Sequence, residues 1–142
     1  MGTYHRWEEF PQRGVSYLKG LPNSEGLKIR IMASEHMMFT EIQVKDGARI
    51  PRHHHVAEQV VFLSNGRMRV TTGDEPPRVL NPGDIWVVPS NVTHGIEYIG
   101  DCEALEAVCP LRMDNFTGYT IQHTFFDEPV GAKRAKARRR KR

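Results

Sequence analysis

Cysteine is scarce in this chain. Cys102 and Cys109 are the only two in 142 residues, too few for a disulfide-stapled secreted scaffold. Their spacing fits neither a zinc-ribbon pair nor a redox pair, so two reduced thiols are expected. Long apolar runs are missing, and with them any membrane-spanning helix. The opening residues, MGTYHRWEEF, have no basic segment leading into an apolar one, so no secretory signal is expected and the cytoplasm is the expected location. Arg6 stands where a myristoylation signal needs Ser or Thr. No stretch repeats, and none reads as an amphipathic helix longer than two turns. With 39% hydrophobic and 26% charged residues, the chain is expected to form one domain with its own core.

Acid is also absent from residues 133 to 142, KRAKARRRKR, which carry eight Lys or Arg. This run makes the formal net charge of +3; without it, 12 basic residues face 17 acidic ones, a net charge of −5. The chain therefore reads as an acidic domain with a basic tail. Self-repulsion and the lack of anything apolar to bury predict a disordered tail. Its role is either solubilising or a contact with a polyanion such as nucleic acid.

What the sequence does have is the punctuation of a β protein. Gly and Pro recur every ten residues or so, as in Asp46-Gly47, Asn65-Gly66, Asn81-Pro82-Gly83-Asp84 and Gly100-Asp101. Between them lie short runs rich in β-branched and aromatic residues: LKIRIMA, MMFTEIQV, QVVFLS, RMRVTT, DIWVVP, HGIEYI and YTIQHTFF. In the first, Leu27, Ile29, Ile31 and Ala33 alternate inward with polar partners. CEALEAVCP has helix-forming composition, but nine residues between turn signals are read as a strand. Short strands without a helical layer predict an all-β sandwich or barrel, for which a jelly roll is a common solution.

Histidine carries the chemistry. In RHHHVAEQ, residues 52 to 59, His53 and His55 share one face of an expected strand while His54 points away. Glu58 or Gln59 follows within reach, and His94 comes after NPGDIWVVPSNVT. Imidazoles converging on one point suit a borderline divalent ion such as zinc, copper, iron or nickel. Spacing alone does not establish convergence.

Gly47, five residues, His53-x-His55, three residues, Gln59, six residues and Gly66 match one motif of a known family. Gly83, five residues, Pro89 and then His94 match the core of its second. Over residues 37 to 112 the chain thus resembles the small single-domain cupins of the RmlC-like jelly-roll superfamily. The resemblance implies a double-stranded β-helix, the cupin jelly-roll barrel, holding a metal inside. It implies His53, His55, Gln59 and His94 as ligands of one divalent ion (zinc, nickel, manganese, iron or copper). Two positions depart from the pattern: Asn91 replaces a Gly of the second motif, and Tyr98 replaces its final Asn. Tyr98 is read as a barrel-wall aromatic. The implied organisation is N-terminal strands over 1–36 serving as a dimerisation arm, a barrel over 37–130 and the basic tail over 131–142. A homodimer is expected.

Neutral ligands leave a divalent ion its full charge, which favours Lewis-acid work on a small acidic or polyhydroxylated substrate. Glu106 falls in the otherwise apolar run LEAVC, where a carboxylate is costly unless paired or close to a metal. Arg112, past Pro110, is placed to clamp a substrate carboxylate through two bonds. The alternative is a plain Glu106–Arg112 surface ion pair. The stretch also resembles the pectin-degradation cupins, which open the ring of unsaturated uronate sugars. There an acid, an aromatic two positions on and an Arg four further on line the site; here these are Glu106, Val108 and Arg112. That resemblance implies Glu106 in proton transfer and Arg112 in substrate binding, in lyase- or isomerase-type chemistry. Polyketide-cyclase cupins share the pattern of three His and one Gln. Two other readings are a copper- or iron-dependent cupin oxidoreductase or dioxygenase, and a non-catalytic small-molecule-binding cupin with a polyanion-binding tail.

Overall fold

Period-two alternation becomes strand along the chain. The computed structural model describes residues 1–14 and 26–112. Among these, a short 3₁₀ turn (Trp7–Glu9) precedes β1 (Arg13–Gly14), β2 (Leu27–Ala33), β3 (Met38–Val44), β4 (Arg49–His53), β5 (Glu58–Thr72), β6 (Arg78–Leu80), β7 (Ile85–Val88) and β8 (His94–Cys109). The basic tail, the run YTIQHTFF and the part of the expected barrel beyond residue 112 lie outside the described residues. No helix among those described is long and apolar enough to cross a membrane.

Every pairing is antiparallel. The sheet runs β1-β2-β3-β8-β5-β6, with β4 added on β8 and β7 on β5. β8 organises the fold. Its first half pairs with β4 and with the end of β5, and its second half pairs with β3 and with the start of β5. The inward rows follow the alternation: Leu27, Ile29 and Ile31 on β2, then Met38, Thr40, Ile42 and Val44 on β3. Ala33, expected inward, is exposed at the end of β2. Val61, Leu63, Met68, Val70, Val88, Tyr98, Cys102 and Val108 complete the middle of the core. Tyr98 is 2% exposed, as a barrel-wall aromatic should be. CEALEAVC is strand, because pairing on both sides outweighs its helical composition.

Two turn signals do not reverse the chain. Asn65-Gly66 and Gly100-Asp101 lie inside β5 and β8, where the register slips on either side of Asn65. Gly66 and Gly100 take left-handed φ values of 81° and 75°, so the strands bend without ending. At Gly66 a Cβ would come within 2.5 Å of Asp101 O and of Cys102 Sγ. Glycine is required there twice over, for conformation and for space.

Candidate metal centre

The histidines are brought together by sheet register. His53 ends β4 and His94 begins β8, and the two are direct cross-strand partners. His55 follows in the connection to β5, where burial alternates from residue 53 to residue 59: His53, His55, Ala57 and Gln59 are inside, His54, Val56 and Glu58 outside. The rings lie close together, tilted for His53 and His94 with centroids 4.3 Å apart and edge-on for His55 and His94 at 4.8 Å. One nitrogen from each ring lies within 4.8 Å of the others, so the three histidines could hold a metal ion.

Each ring is oriented the same way. Nδ1 of His53 lies 2.8 Å from Pro51 O, Nδ1 of His55 2.8 Å from Ala57 O, and Nδ1 of His94 2.8 Å from Val92 O. A carbonyl can only accept, so Nδ1 carries the proton in all three rings and Nε2 carries the lone pair. Burial, aided by the neighbouring histidines and Arg112, lowers the pKa of His53 to about 3 and of His55 to about 4, and burial also lowers that of His94. The rings are therefore neutral at pH 7, the form that ligates metal.

Two further contacts make sense with a cation present. His94 Nε2 is buried and has no hydrogen-bond partner among the described residues. Gln59 Oε1 lies 3.1 Å from His55 Nε2, so two acceptors face each other. Either the amide turns its NH₂ toward the ring, or both atoms share a positive ion. The donor set is neutral and of nitrogen and amide-oxygen type, which suits a borderline divalent ion.

The loop after β7 holds this arrangement. Asn91 N–H donates to His55 O at 2.8 Å and Ser90 Oγ donates to Val56 O at 2.5 Å, tying the loop before His94 to the loop carrying His55. Asn91 has a φ of 62°, left-handed, which explains why it can stand where the family motif has glycine. Asn91→Gly should therefore leave melting temperature and metal content nearly unchanged. Asn91→Val should cost about 1–2 kcal/mol for the β-branched residue in that conformation and loosen His55. Calorimetry with metal analysis measures both. The Trp86 ring lies edge-on to His94, at 5.8 Å between centroids, and its Nε1–H donates to Thr72 Oγ1 at 3.0 Å.

Glu106 and Arg112 belong to the same interior. Glu106 lies in the inward row of β8 with Ala104 and Val108, opposite Thr40 of β3 and Val61 of β5. Desolvation raises its pKa, and the positive charge of Arg112 partly offsets this. Arg112 is 8% exposed and acts electrostatically on all three histidines as well as on Glu106. Arg112 is thus buried, while Glu106 is half-buried in the inward row of β8. Thr40, buried in the same row as Met38 and Ile42, was not singled out from the sequence. A threonine at an inward position of an apolar alternation is the signal that would have found it.

Residues 40–109 match the model of the cupin domain family. This chain belongs to the cupins. No curated protein matches it, but solved cupins do. An RmlC-like cupin from Shewanella frigidimarina aligns at 24% identity and TM-score 0.68, covering 80% of this chain and 96% of the other. KdgF from a Halomonas species aligns at 24% identity and TM-score 0.68, covering 80% and 98%. The DMSP lyase DddQ from Ruegeria pomeroyi aligns at 21% identity and TM-score 0.62, covering 77% and 64%. The all-β architecture of this cupin is accordingly the double-stranded β-helix jelly roll.

Proposed function

We propose that this cupin is a metal-dependent enzyme acting on a small acidic, polyhydroxylated molecule of the sugar-uronate type. His53, His55, His94 and Gln59 would hold one divalent ion. The observation that carries this is the shared arrangement of the rings: three Nδ1–H groups fixed on backbone carbonyls, and one nitrogen from each ring within 4.8 Å of the others. Such an ion supplies Lewis-acid polarisation of a substrate oxygen. Arg112 binds and orients the substrate carboxylate, and Glu106 holds or moves a proton at a substrate carbon or oxygen beside it. The apolar walls around Glu106, Val61 and Val108 among them, limit its hydration and raise its pKa above that of an exposed carboxyl. The resemblance to the pectin-degradation cupins supports a ring-opening or isomerising reaction, and a DMSP lyase is among the similar structures.

The test is metal analysis of protein purified without a tag, followed by an assay on an unsaturated uronate monosaccharide. Loss of the ultraviolet absorbance of its conjugated double bond, with no oxygen uptake, is the expected result. Metal-dependent oxygen consumption would replace this reading with the oxidoreductase one. No metal after equilibration with zinc, nickel, manganese, iron or copper would remove both.

A further inference from the structure

We infer that Thr40 binds a hydroxyl group of the substrate and so selects polyhydroxylated acids over aromatic ones. Thr40 is 3% exposed, and its Oγ1 is buried without a hydrogen-bond partner among the described residues. A hydroxyl left that way has lost its bonds to water and gained none in return, a penalty that a bound ligand oxygen would remove. Its neighbours on the inward row of β3, Met38 and Ile42, offer it nothing polar.

Register puts the hydroxyl in line with the rest of the site. Thr40 lies directly opposite Glu106 across β3 and β8, and Glu106 lies opposite Val61 across β8 and β5. Gln59, two residues before Val61 and opposite Val108, is the diagonal neighbour of Glu106. Direct partners on one face have Cβ atoms about 5 Å apart and diagonal ones about 7 Å, so Gln59, Glu106 and Thr40 span on the order of 10 Å. That is the scale of one monosaccharide. The interior thus offers metal-ligating groups at one end, an acid–base group in the middle and an alcohol at the other end. An aromatic ring bound there would leave Thr40 Oγ1 unsatisfied. For the ligand's orientation this inference rests on the proposed function.

The test is binding of two probes to the metal-loaded full chain by calorimetry: galacturonate, and cyclohexanecarboxylate as a hydroxyl-free acid of similar size. Thr40→Val should weaken galacturonate about 10-fold, the loss of roughly one well-made hydrogen bond, and leave cyclohexanecarboxylate unchanged. Thr40→Ser, which keeps the hydroxyl, should restore most of the affinity. Thr40→Val should also melt no lower than the parent, because it replaces an unsatisfied hydroxyl by a methyl of the same shape. Equal galacturonate affinity in parent and Thr40→Val, equal loss with both probes, or no galacturonate binding to the parent would each overturn the inference. So would a lower melting temperature with unchanged binding, which marks a structural hydroxyl. Thr40-dependent binding without conversion of an unsaturated uronate would remove the proposed reaction and leave this inference standing.

Discussion

His55→Ala is expected to abolish stoichiometric metal binding, while His54→Ala, one residue away, leaves the metal content unchanged. Composition makes the two substitutions identical, so only the direction of each side chain separates them. His55 is 9% exposed, its Nδ1 is fixed on Ala57 O, and its Nε2 sits 3.1 Å from Gln59 Oε1. His54 is exposed, on the opposite side of the chain. Loss of a group that merely supports a ligand already lowers metal affinity by about 10- to 100-fold; removal of a ligand from a site of four neutral donors should cost more. Equilibrium dialysis against a limiting zinc concentration, followed by metal analysis of folded protein, gives the comparison. Equal loss in both variants would refute the assignment of faces, and full retention in both would remove His55 from the ligand set.

Local pattern made the elements legible, and distance along the chain limited the rest. Period-two alternation identifies LKIRIMA and MMFTEIQV as strands, and it separates His54 from its neighbours because the alternation continues past the end of β4 into the connection. Strand continuity was harder. Asn65-Gly66 and Gly100-Asp101 look like reversals, yet each lies inside one long strand, since glycine supplies a bend as readily as a turn. The pairing of His53 with His94 depends on the register of β4 against β8, forty residues later, and no local signal encodes it. Spacing leaves Glu58 and Gln59 both open, and the family resemblance points to Gln59; in the fold, burial places Gln59 inside and Glu58 outside. Arg112 reads as a residue beyond a proline break. Its proximity to three histidines from two other segments exists only once the barrel has formed.

Glu106→Gln is expected to keep fold and metal while reducing turnover by about 100-fold or more, the usual contribution of general acid–base catalysis. Glutamine has nearly the shape of glutamate and retains its polar contacts, but it can neither give up nor take a proton at the required step. The position favours such a role. Glu106 shares the barrel interior with the histidines, and desolvation raises its pKa while Arg112 pulls it back down. A carboxyl moved toward neutral pH is better matched to proton transfer than an exposed one, since it can hold the proton in one step and lack it in the next. Arg112→Lys should behave differently. A lysine keeps the charge but not the planar pair of donors, so it weakens the grip on a carboxylate in ground state and transition state alike and mainly raises KM. Steady-state kinetics on an unsaturated uronate, with metal content measured on the same samples, separates the two effects. If Glu106→Gln retains nearly full turnover, the proton moves through another group, and Glu106 is a half-buried carboxylate that Arg112 stabilises.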